Sequence, residues 1–154
     1  ELDLGHNEMG DEGAISVAKL LKSSSLTSSQ NGMNTCLAGK YIQKISIDYN
    51  EIGDAGTISI ASALRYNTSL HTLNLADNNI GEVGCNGVDK SLRVSNTSLR
   101  DLNLMGNENV PAEMEVQVKE KVRRNFVKHH HEQNVKNEGI LYFLDCSAMA
   151  MKRE

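Results

Sequence analysis

The sequence has no tryptophan and only two phenylalanines and four tyrosines. Its core must therefore be built from Leu, Ile, Val and Ala, without large aromatic anchors. Proline occurs once, at Pro111, which excludes a Pro-rich linker. The three cysteines (Cys36, Cys85 and Cys146) are odd in number, widely spaced and free of any CxxC pair. That pattern excludes a disulfide framework and a paired zinc site. It points to free thiols in a reducing compartment, hence a cytoplasmic location. Basic residues number 16 against 20 acidic ones, a net charge of −4. A nucleic-acid binder would carry a basic stripe, so no nucleic-acid partner is expected. The longest purely apolar run, Ile140-Leu141-Tyr142-Phe143-Leu144, falls far short of the roughly 20 residues of a membrane span. No membrane partner and no signal peptide are expected. The chain opens Glu1-Leu2-Asp3-Leu4, without Met and inside a repeat, which implies a piece of a longer protein.

What is present is a repeat. The clearest unit runs from Leu70 through Leu73, Leu75, Asn78, Ile80 and Gly81 to Gly84. A second places Ile42, Ile45, Ile47, Asn50, Ile52, Gly53 and Gly56 in the same order. A third has Leu2, Leu4, Asn7, Met9, Gly10 and Gly13, and a fourth has Leu99, Leu102, Leu104 and Asn107 before it drifts. The marker asparagines are spaced by 43, 28 and 29 residues. The last two spacings fit a solenoid repeat, and the first implies an insertion of 15 residues. The Ser-, Asn- and Gly-rich stretch at 23–41 reads as that insertion, a surface loop between the first helix and the second strand.

Each unit has a physical reading. The Leu-x-Leu core is a short strand with alternate side chains turned inward. The Asn side chain satisfies backbone groups at the turn that follows. After the turn, Ile60, Ala61 and Leu64 lie three and four apart, as on one helix face. Val17, Ala18 and Leu21 repeat this spacing, and Asp11 and Asp54 stand where each helix would need an N-cap. One such unit cannot bury its own apolar face, but stacked units form a continuous core. The third helix looks weakened, because Asn86 and Asp89 replace apolar residues and Gly84 and Gly87 lie within it. Pro111 suits a first helical turn, and Met114, Val118, Val122 and Phe126 then mark an amphipathic helix over 112–127. Residues 128–154 fall outside the pattern, and Ile140 to Cys146 read as a strand or short helix capping the open end.

The LxxLxLxxNxIGxxG pattern resembles the ribonuclease-inhibitor type of leucine-rich repeat, over roughly residues 1–127. That type includes the repeat domains of NOD-like receptors, the Ran GTPase-activating protein and, more distantly, the tropomodulins. The resemblance implies an α/β leucine-rich repeat solenoid of about four βα units, with parallel strands inside and helices outside. It also implies a protein-interaction scaffold whose partner is another protein.

In such a fold the residues between the strand leucines face the concave surface. By register these are Lys44, Ser46, Asp48 and Tyr49, then Thr72, Asn74 and Asp77, then Asp101, Asn103 and Met105. Glu1, Asp3, Gly5, His6 and Ala76 extend the same face. The surface is polar and mildly acidic, and Tyr49 is its one large aromatic, a residue type that anchors interfaces. No catalytic site, metal site or cofactor is expected. Adjacent histidines at 129–131 do not converge on one ion if helical. Asn67-Thr68-Ser69 and Asn96-Thr97-Ser98 match glycosylation sequons, but they recur at one repeat position, so the repeat explains them. The alternatives implied by the resemblance are a GTPase-activating domain, with Arg65, Arg93 and Arg100 near repeat edges, and an actin-binding repeat domain like that of the tropomodulins.

Overall fold

The computed structural model describes the backbone of residues 1–22 and 37–151 and the side chains of 1–22 and 39–136. Four short strands alternate with four helices. They are β1 (Leu2–Asp3), α1 (Gly10–Lys22), β2 (Lys44–Ser46), α2 (Asp54–Leu64), β3 (Thr72–Asn74), α3 (Glu82–Val94), β4 (Asp101–Asn103) and α4 (Ala112–Met151). The strands form one parallel sheet in the order β1-β2-β3-β4, and the register pairs Ile45 with Leu73 and Leu73 with Leu102. This is an α/β leucine-rich repeat solenoid, as the repeat pattern implies.

The core lies between sheet and helices. Ile45 and Leu73 come from the strands, Ile47, Leu75 and Leu104 from the residues just after them, and Val17, Leu21, Ile60, Leu64, Val88 and Val118 from the helices. All are aliphatic, as a chain this poor in aromatics requires.

Two polar systems wire each unit to its neighbour. In the first, the buried Asn78 amide accepts from the backbone N–H groups of Asn50 and Ile52 and donates to the carbonyls of Ile47, Leu75 and Ala76. Asn50 and Asn107 repeat the arrangement on either side. The asparagine therefore closes its own turn, as expected, and also holds the preceding unit.

In the second, Asp11 and Asp54 cap helices, but not their own. One Asp11 oxygen accepts from the N–H groups of Gly53 and Gly56, at 2.8 and 2.9 Å. One Asp54 oxygen accepts from Gly81 and Gly84, at 2.7 and 2.8 Å. Each aspartate sits in the first turn of one helix and caps the next, so the expected capping within a unit is corrected to capping between units. The second glycine of each turn follows from this contact. A Cβ on Gly56 would lie 2.6 Å from the Asp11 oxygen and 2.7 Å from the Ala14 Cβ.

Three further expectations change. The third helix is not weakened. α3 has 13 residues, the same as α1, because Cys85, Val88 and Leu92 are buried and offset the glycine penalty. Asp89 is satisfied there by Arg93 and by Lys121 of α4. The last helix does not stop at 127. It runs unbroken to Met151, and the stretch at 140–146 belongs to it. No proline interrupts this run, and Gly139, its one glycine, costs only about 1 kcal/mol. Finally, the end of the 23–41 insertion is not a plain loop. Leu37–Lys40 forms a 3-10 turn whose Gly39 carbonyl accepts from the Ser69 hydroxyl at 2.8 Å. Residues 23–36 lie outside the described residues.

Candidate protein-binding face

Strand alternation turns Ile45, Leu73 and Leu102 toward the helices, so the residues flanking them face the opposite side. The register then lines these residues up in rows across the sheet. Lys44, Thr72 and Asp101 form one row, and Asp3, Ser46, Asn74 and Asn103 form the next. Asp48 and Met105 follow in the segments leaving the strands. All ten residues expected on this face are partly or fully exposed, with Lys44, Tyr49, Asp101 and Met105 the most open.

Neighbouring side chains hold the rows rigid. The Asn74 amide donates to the Ser46 hydroxyl at 2.8 Å, and that hydroxyl donates to Asp48 at 2.6 Å. Lys44 forms an ion pair with Glu1 at 2.9 Å. This pairing raises the Lys44 pKa and lowers that of Glu1. The pair offsets the one cation on the face, so the remaining charge is carboxylate.

At the lip of the face, the residue before each ladder asparagine has left-handed backbone. φ is 59° at His6, 53° at Tyr49, 51° at Asp77 and 75° at Gly106. This conformation is unfavourable for a bulky L-residue such as Tyr49 and persists only where the surroundings impose it. They do so here. The Tyr49 N–H donates to the Ala76 carbonyl at 3.1 Å, and the Asn50 amide donates to the Asp48 carbonyl just before it at 2.9 Å. The Tyr49 ring stacks on His6 at a centroid distance of 4.3 Å and an angle of 13°. The Asp77 carboxylate near its hydroxyl raises the phenol's pKa. Tyr49 is thus a preorganised aromatic with half its surface open, beside a shallow groove of about 320 Å³ lined by Asp77, Asn79, Gly106, Glu108 and Asn109.

Other expected positions resolve differently. The sequon asparagines are structural. Asn67 and Asn96 are 2% and 1% exposed. Asn96 donates to the carbonyls of Leu64 and Asn67 and accepts from the Leu99 N–H, and Asn67 bonds in the same way one unit earlier. Neither amide is open to a glycan in the folded chain. Asn125, 29 residues beyond Asn96, takes the third place in this row from within α4 and donates to the carbonyls of Asn96 and Leu99. Of the three arginines, Arg65 is exposed, Arg93 is bound to Asp89, and Arg100 contacts His129 Nδ1 at 3.1 Å. His129 and His130 each meet a different neighbour, Arg100 and the Phe126 ring. Among the described residues no cluster of metal-binding side chains occurs, and no helix is long and apolar enough to cross a membrane. Cys85 is buried, and burial pushes its thiol up to about 11, away from nucleophilic use.

No residue pattern signals the His71–Arg100–His129 row beside β4. There, burial and the nearby Arg100 and His129 lower the His71 pKa.

Comparison with solved structures places the fold among known solenoids. The chain is similar to a structure described as leiomodin-1 actin-binding site 2, with a TM-score of 0.62 and 14% identity over 90% of this chain and 88% of that one. At that identity the likeness concerns fold alone. A search of curated proteins finds no match. The leucine-rich repeat family model matches residues 1–18, 40–61, 66–87 and 95–110. These intervals coincide with the units the asparagine ladder ties together, and the chain belongs to the leucine-rich repeat family.

Proposed function

We propose that the chain is a non-enzymatic protein-binding module of the ribonuclease-inhibitor type and that it engages its partner through the strand face. The observation that carries this reading is Tyr49, held in an unfavourable backbone conformation by the fold and stacked on His6. A rigid aromatic loses little entropy on binding, so it suits an interface anchor. The surrounding carboxylates, Asp48, Asp77, Asp101 and Glu108, favour a partner that presents basic side chains.

A second reading is actin binding. It is favoured by one observation, the similarity to a structure described as an actin-binding site. The GTPase-activating alternative is weaker, because Arg93 and Arg100 are already engaged within the fold.

The test compares the wild-type chain with Tyr49→Ala and with the helix-side control Val83→Ala. Each is used to capture binding proteins and, separately, in co-sedimentation with purified filamentous actin. The expected result is a captured protein that Tyr49→Ala loses and Val83→Ala retains. Equal retention by both variants overturns the strand-face reading. Saturable actin co-sedimentation that depends on Tyr49 selects actin as the partner.

A further inference from the structure

We propose that the outer edge of β4, with the groove between it and α4, accepts an extended acidic segment of a partner protein as a fifth parallel strand. The N–H groups of Leu4, Ile47 and Leu75 each donate to the next strand, at Ser46, Asn74 and Asn103, over 2.8 to 3.0 Å. Those of His6, Tyr49 and Asp77 do the same, to Asp48, Ala76 and Met105. Leu104 and Gly106 are the next donors in the two series, and among the described residues neither has an acceptor. An unpaired strand edge is a template for another strand.

Among the described residues the chain supplies no fifth strand of its own, for a reason visible in the repeat. The position after Asn125 should supply it, as Leu70 and Leu73 follow Asn67 and Leu99 and Leu102 follow Asn96. Lys128 and His131 stand there instead, and α4 continues as helix. α4 closes the core with Val118 and Val122. It leaves a groove of about 430 Å³ against Arg100, Asp101 and Leu102.

The lining identifies the occupant. Val122, Leu102 and the half-exposed Phe126 supply an apolar floor. Arg100, Lys119 and Arg123 line the groove against Asp101; Lys119 pairs with Glu115 and Arg123 lies 3.9 Å from Glu120, but both cations keep about half or more of their side chains open. The Arg100 Nε–H is buried and lacks a partner among the described residues, so the guanidinium keeps an unused donor beside the groove. A strand alternating acidic and apolar residues meets both demands, because its side chains alternate between rim and floor. This groove shares Asp101 with the strand face but does not include Tyr49, so the two readings are tested apart.

The experiment uses the whole chain and a short, end-capped peptide alternating aspartate and valine. Binding is followed by amide exchange at Leu104 and Gly106 and by fluorescence anisotropy. Saturable binding is expected, with exchange at both amides slowed. The exposed Arg123→Glu variant should weaken affinity by about fivefold, the scale of one surface charge contact. A peptide with lysine in place of aspartate should lose binding to the wild type. Equal binding of the lysine peptide overturns the proposal, as does binding that leaves the Leu104 and Gly106 amides unchanged. Protection of these amides by self-association, seen as a concentration-dependent mass in sedimentation, also overturns it. The Tyr49→Ala variant should bind the peptide like the wild type, which keeps this test independent of the strand-face reading.

Discussion

The two inner units and the last unit use the same strand and turn but end differently. In the unit of β3 and α3, Asn78 serves the unit before it, and the helix start is capped by Asp54 of that preceding unit. In the unit of β4 and α4, Asn107 still serves its predecessor, but the cap changes. Glu82 occupies the place of Asp54 and is exposed. Pro111, which has no N–H to cap, precedes α4. Stability in such an array is the sum of units and the joints between them, so an aspartate at one joint and a proline at the next predict unequal responses to mutation.

The largest effect should come from Asn78→Ala. It removes an amide that serves five backbone groups and leaves several of them buried and unpaired. A loss of about 3 kcal/mol in chemical denaturation is expected, from unpaired groups costing about 1–3 kcal/mol each. A loss below a third of that would mean water replaces the ladder. Next comes Asp54→Ala, which removes two charge-assisted bonds and should cost about 2 kcal/mol. The matching change at the last joint, Glu82→Ala, should stay within about 0.5 kcal/mol. Equal costs at the two positions would erase the contrast between the joints.

The pair between α3 and α4 sharpens the comparison through pH. Burial alone would raise the Asp89 pKa, but hydrogen bonds from Lys121 and Arg93 outweigh it and hold the carboxyl lower. The native state then binds fewer protons than the unfolded state in acid. The pair's contribution is complete above the unfolded carboxyl's pKa and is lost as pH falls below about 4. Asp89→Asn should therefore flatten the acid limb of the stability curve measured by thermal unfolding, and an unchanged limb would contradict this role. Least affected should be the fold of Tyr49→Ala, in which the melting temperature stays close to wild type while binding falls.

Much of this was legible in the residues themselves. Leu-x-Leu, Asn and Ile-Gly-x-x-Gly recur at fixed spacing, and each encodes a local event: a strand, a closed turn and a helix start. The rows on the strand face follow from alternation and register alone. What escaped was non-local. Asp11 bonds Gly53 and Gly56 across more than 40 residues of chain, so no window around Asp11 shows which helix it caps. Asp89 looked like a flaw in α3 because its partner Lys121 lies on α4. The length of α4 was hidden because its polar middle lacks the apolar spacing that marks a packed helix. The repeat explains the position of the sequons, and the buried amides of Asn67 and Asn96 supply the physical reason they stay unmodified in the fold.

We propose that the strand face around Tyr49 meets the partner and that the helix side does not. A photoreactive phenylalanine analogue placed at Thr72, in the middle of that face, or at exposed Val83 on α3, tests it most directly. Thr72 is expected to crosslink to a bound partner and Val83 is not. Crosslinking from Val83 with none from Thr72 would contradict it.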